Sequence, residues 1–88
     1  MFNEKQIELS TMLFDRLKNR FKEIALVGVT ESAENPYHVW VNIVMPADED
    51  QEIELRELAS EISTDILMDY GYHITIFPAD LPRQSAAN

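Results

Sequence analysis

The side chains best able to do chemistry fall at alternating positions of two short segments. His38, Trp40 and Asn42 are separated by single valines, and His73, Thr75 and Phe77 repeat that spacing near the C-terminus. A period of two puts each trio on one face of an extended strand. Imidazole can ligate a metal or move a proton, indole and phenyl rings offer flat apolar surface, and amide and hydroxyl groups orient a ligand. The chain has two histidines, one in each trio. If the two strands are neighbours, His38, Trp40, Asn42, His73 and Thr75 make one mixed aromatic and polar surface. A bare sheet face of that kind is expected to be an interaction surface, first between two copies as a homodimer, and second for a small molecule or peptide. No metal site is expected from His38 and His73 alone, because no third ligand has a forced position.

The second concentration of chemistry is acidic. Nine carboxylates (Asp48, Glu49, Asp50, Glu52, Glu54, Glu57, Glu61, Asp65, Asp69) share one segment with a single base, Arg56. Asp48, Asp50 and Glu52 alternate as in a calcium loop, but such a loop needs glycine at its sixth position and glutamate at its twelfth. Those positions hold Ile53 and Ala59. The acids therefore read as a solvated helix face, with Glu54, Glu57, Glu61 and Asp65 available to a basic protein partner. Four of the seven bases (Arg16, Lys18, Arg20, Lys22) cluster instead where a first helix should end and complement its dipole there.

Catalytic signatures are missing from the sequence. With no cysteine there is no thiol nucleophile, thiolate zinc site or disulfide scaffold. Ser10, Ser32, Ser60 and Ser63 lie in no nucleophile elbow. Gly28 and Gly71 are the only glycines, too few for a phosphate-cradling loop. No catalytic residue and no cofactor is expected.

The formal charge of −9 on 88 residues argues against direct nucleic-acid binding, which needs a surplus of Lys and Arg to neutralise phosphates. No apolar run approaches the length of a membrane span, and the N-terminus lacks the pattern of a signal peptide, so a cytoplasmic location without membrane contact is expected. The length admits one domain, expected over 1–78, with a disordered tail over 79–88.

The elements that must position these side chains follow from periodicity. Asn3 and Gln6 form a capping box, Phe2 and Ile7 occupy hydrophobic-staple positions, and Leu9, Leu13, Leu17 and Phe21 continue the stripe, with Phe14 beside it. Ile24–Thr30 is a continuous apolar run, as expected of a strand inside a sheet. After a polar turn over 31–36, Tyr37–Met45 alternates and should pair with it as an antiparallel hairpin. Asp48 and Gln51 offer a second capping box, and Leu55, Leu58, Ala59, Ile62, Ile66 and Tyr70 form a helical stripe that Gly71 stops. Tyr72–Phe77 makes a third strand. The order α-β-β-α-β implies an α+β two-layer sandwich, with both helices packed on one face of a small sheet.

Val27-Gly28 closing a strand, the segment Pro36–Pro46 and the sequence Asp69-Tyr70-Gly71-Tyr72 together resemble a minimal nucleotidyltransferase domain over about half the chain. That family carries a Gly-Ser motif after its first strand, an Asp-x-Asp pair for magnesium on its second and a further carboxylate on a later strand. Gly28 matches the glycine, but Val29 stands at the serine, and His38 and Trp40 stand at the aspartates. The third strand has no acid. The resemblance thus implies a catalytically degenerate relative that binds a nucleotide or a cognate partner. A ferredoxin-like or a KH-like module fits the element pattern equally, although the KH Gly-x-x-Gly loop is missing. The reading that needs least is a non-enzymatic interaction or accessory protein that self-associates through its open sheet face.

Overall fold

The computed structural model describes residues 2–32, 35 and 37–79. It comprises α1 (Glu4–Arg20), β1 (Ala25–Glu31), β2 (His38–Val44), α2 (Glu49–Tyr70) and β3 (His73–Pro78). The order is the one expected, and the arrangement is the α+β two-layer sandwich.

Helix α1 starts where the sequence places it. The Asn3 side chain accepts from the Gln6 N–H at 2.7 Å, and Gln6 Oε1 accepts from the Asn3 N–H at 3.0 Å, closing the capping box. Gln6 and Ser10 are buried beside Leu9, Leu13 and Leu17, while Ile7 is 53% exposed, so the stripe runs one residue away from the staple position. At the far end Lys18 Nζ donates to the carbonyls of Lys22 and Ile24 at 2.8 and 2.7 Å, so this base closes the helix exit through hydrogen bonds as well as charge.

Helix α2 begins at Asp48, but the capping box expected with Gln51 gives way to a bond from the Asp50 N–H to the Asp48 side chain at 3.4 Å. Leu55, Ala59, Ile62 and Ile66 are its buried residues. Tyr70 leaves the expected stripe and is about half exposed, with Lys5 Nζ 5.2 Å from its ring centre. The helix stops at Gly71, whose φ of 81° is the left-handed conformation that favours glycine, and whose N–H returns to the Leu67 carbonyl.

The sheet order is β1-β2-β3, with β1 antiparallel and β3 parallel to β2. The hairpin expectation holds. The placement of the first strand inside the sheet does not, because β1 is an edge and Leu26 and Val27 are about half exposed. A bulge between Leu26 and Gly28 adds Val27 to the strand, and the residues sharing the face of Asn42 and Trp40 are Gly28 and Thr30. The extra valine and the glycine after it conceal the alternation, so an edge strand reads as a uniformly apolar one.

The core lies between the helices and one sheet face. Val39, Val41 and Ile43 of β2 and Ile74 of β3 are fully buried there against Leu13, Leu17, Leu55 and Ile62. Ladder bonds from the His73 N–H to Tyr37 O and from the Ala79 N–H to Ile43 O fix the phase of β3. In a parallel ladder alternate residues turn away from the partner, so Ile74, Ile76 and Pro78 present their backbone to the free edge. Ser63 Oγ donates to the Ile74 carbonyl at 2.6 Å, and Pro78 has no N–H, so this edge is partly closed to another strand. Ala79 still pairs with the sheet, and the remainder of the expected tail, 80–88, lies outside the described residues.

Candidate functional site

The face of the sheet opposite the helices is built by the pleat. Because Val39, Val41 and Ile43 point into the core, His38, Trp40 and Asn42 must point away from it, and they are half-buried where their neighbours are fully buried. The parallel register sets His38 beside His73, Trp40 beside Thr75 and Asn42 beside Phe77. All five residues expected to share this surface are therefore brought together, and the strand order unites the two trios.

Their contacts form a row of rings. Between ring centres His38 lies 4.5 Å from Trp40 and 5.4 Å from His73, and Phe77 lies 5.3 Å from Trp40 in a T-shaped arrangement. His38 Nε2 is 3.4 Å from Thr75 Oγ1. Asn42 Nδ2 donates towards β1, to Thr30 Oγ1 at 3.2 Å and the Gly28 carbonyl at 3.3 Å. Asn42 thus acts as a tie across the hairpin, with its amide directed to the protein. The side chains left open on the surface are the rings, with Phe77 49% exposed.

Phe77 is the residue the site expectation omitted from its interaction set, although the alternation marks it. Its place beside Asn42 and against Trp40 makes it part of the same surface.

Glu54, Glu57, Glu61 and Asp65 are exposed along one side of α2. Glu54 stands 3.8 Å from Arg20 and links the two helices at the surface. Asp50 and Glu52 belong to the first turn of α2, where they favour the helix dipole, and Glu52 pairs with Arg56 at 3.0 Å. Among the described residues, no three His, Asp or Glu side chains come together as a metal-binding group.

A groove of about 330 Å³ runs between α2 and the free edge of β3, lined by Ser60, Ser63, Thr64, Leu67, Ile74 and Ile76 among others. Sequence reading gave no hint of it, because it depends on β3 being an edge. Two of its hydroxyls are turned to structural use: Ser63 Oγ donates to Ile74 O, and Thr64 Oγ1 donates to the Ser60 carbonyl at 2.9 Å.

Among the described residues, no helix is long and apolar enough to cross a membrane. Of the positions that carry the nucleotidyltransferase resemblance, His38 and Trp40 lie on the open face, and Val29 pairs with Val41 in the hairpin. Compared with protein-family models, curated proteins and solved structures, the chain matches none of them.

Proposed function

We propose that the protein is a non-enzymatic interaction or accessory subunit that self-associates through its open sheet face. The observation that carries the reading is the row His73, His38, Trp40 and Phe77, a set of aromatic rings on the side of the sheet that neither helix covers. Tryptophan at the centre of such a patch is the residue type that anchors protein contacts.

The size of the face sets the strength expected. Three strands of about seven residues, spaced about 4.8 Å apart and rising about 3.3 Å per residue, give a footprint of about 330 Å². A standard stable interface buries about 800 Å² of accessible surface on each partner, so the contact belongs to the weak class. Light scattering from tens to hundreds of micromolar protein, about the range of a weak contact, should show mass rising towards the dimer. Trp40→Glu should hold the mass at the monomer value. A wild-type chain that stays strictly monomeric over that range would overturn the reading.

A second reading draws on the same rings. Stacked aromatic side chains hold bases, and His38 and Trp40 occupy the positions the nucleotidyltransferase resemblance assigns to aspartates. A degenerate domain retaining a nucleotide there would show a raised melting temperature with nucleotide and magnesium, and no shift with any nucleotide removes it. The exposed row Glu57, Glu61 and Asp65 on α2 supports a separate contact with a basic protein, which salt should weaken.

A further inference from the structure

We infer that His38 and His73 form a two-imidazole chelate for a divalent transition metal of the zinc, nickel and copper group, open to solvent on the bare sheet face. The pair is set by backbone. His38 and His73 are register partners on adjacent parallel strands, so both rings leave the same side of the sheet at the same level. Their ring centres are 5.4 Å apart and their planes are inclined by 50°.

That separation is compatible with a shared ion. With metal–nitrogen bonds of about 2.1 Å, ring nitrogens about 1.1 Å from their ring centres and a tetrahedral angle, two imidazoles on one ion have centres about 5.2 Å apart. In centre spacing the difference is about 0.2 Å, and rotation of the side chains sets which ring nitrogens face the ion. Thr75 adds what a metal-binding histidine usually has. Its hydroxyl, 3.4 Å from His38 Nε2, can accept that nitrogen's proton and leave Nδ1 with the free lone pair.

The chelate supplies two ligands, and no further His, Asp or Glu among the described residues joins them, so it departs from the expectation of no metal site by dispensing with a third protein ligand once the register pairs the two histidines. The ion's remaining positions are thus free for water or an incoming ligand, and affinity is modest. Imidazole donors select zinc, nickel or copper, whereas magnesium and calcium prefer oxygen ligands. The inference lies within one chain and does not need the face to self-associate.

The test uses the full chain at a concentration where light scattering gives the monomer mass, so that it is independent of the self-association reading. Zinc chloride titrated into the protein should shift the ring signals of both histidines together in proton NMR, with one common midpoint. Nickel chloride should quench Trp40, the only tryptophan, which stacks on His38. His38→Gln and His73→Gln should each raise the midpoint by about tenfold or more, because each leaves a single imidazole ligand. Both substitutions are on the open face, and an unchanged amide spectrum confirms that the variants fold. Ring signals that stay fixed in zinc, signals that move with different midpoints, or quenching that survives in both variants would each overturn the chelate.

Discussion

Substituting the two glycines by alanine should move stability in opposite directions. At Gly71 the backbone has φ 81° and ψ 11°, and an added Cβ would meet nothing within 4 Å. The whole penalty of Gly71→Ala is therefore backbone strain, about 1–2 kcal/mol for an L-residue held in the left-handed region. Alanine also narrows the unfolded ensemble, which returns about 0.4–1 kcal/mol. The net loss should be about 1 kcal/mol, or a fall of about 4–8 °C in Tm for a domain of this size. Gly28 likewise has open space around an added Cβ, but its φ is outside the left-handed range, so only the unfolded-state term operates. Gly28→Ala should stabilise by about 0.4–1 kcal/mol. Chemical denaturation of both variants, at one low protein concentration so that association does not contribute, gives the comparison directly. If Gly71→Ala matches or exceeds wild-type stability, or if both variants lose equally, the assignment of the α2 stop to left-handed strain is wrong.

Other substitutions separate packing, capping and surface charge. Leu13 is fully buried between the helices and the sheet, so Leu13→Ala should cost about 3–5 kcal/mol in urea unfolding and leave the chain largely unfolded on warming. Asn3→Ala removes the acceptor of the capping box and should cost about 1 kcal/mol in the same assay. Glu54→Gln breaks an exposed pair with Arg20 at 3.8 Å and should change the unfolding midpoint by less than about 0.5 kcal/mol in free-energy terms.

The elements were legible because their signals are local. A capping box at Asn3 and Gln6, a stripe at three- and four-residue spacing and a glycine stop each depend on a few neighbouring residues. Register and strand order do not. The sequence places His38 and His73 on strand faces, but 34 intervening positions leave open whether those strands touch. The parallel pairing of β2 with β3 is what turns two separate alternations into one surface. The first strand misled for a related reason. Its apolar run is a property of composition, whereas its edge position follows from β2 having both neighbours already. The bulge at Val27 is invisible to a pattern of period two until the partner strand shows where the count slips. Phe77 was readable as a member of the face, and its contact with Trp40 needed only the register.

The alternating backbone of β3 separates two quantities that usually go together, side-chain burial and amide protection. Ile74 has a fully buried side chain, yet the ladder phase turns its N–H to the edge beside Ser63, where no described strand pairs with it. His73 and Thr75 on either side have exposed or half-exposed side chains, but their amides are directed at β2. Hydrogen exchange along β3 should therefore run opposite to solvent accessibility, slow at Thr75 and fast at Ile74 and Ile76. Of the three strands, only β2, paired on both sides, should be protected at every residue. Within the sheet, the slowest-exchanging amides should then sit in the strand that carries His38, Trp40 and Asn42, so the open face rests on the best-protected strand.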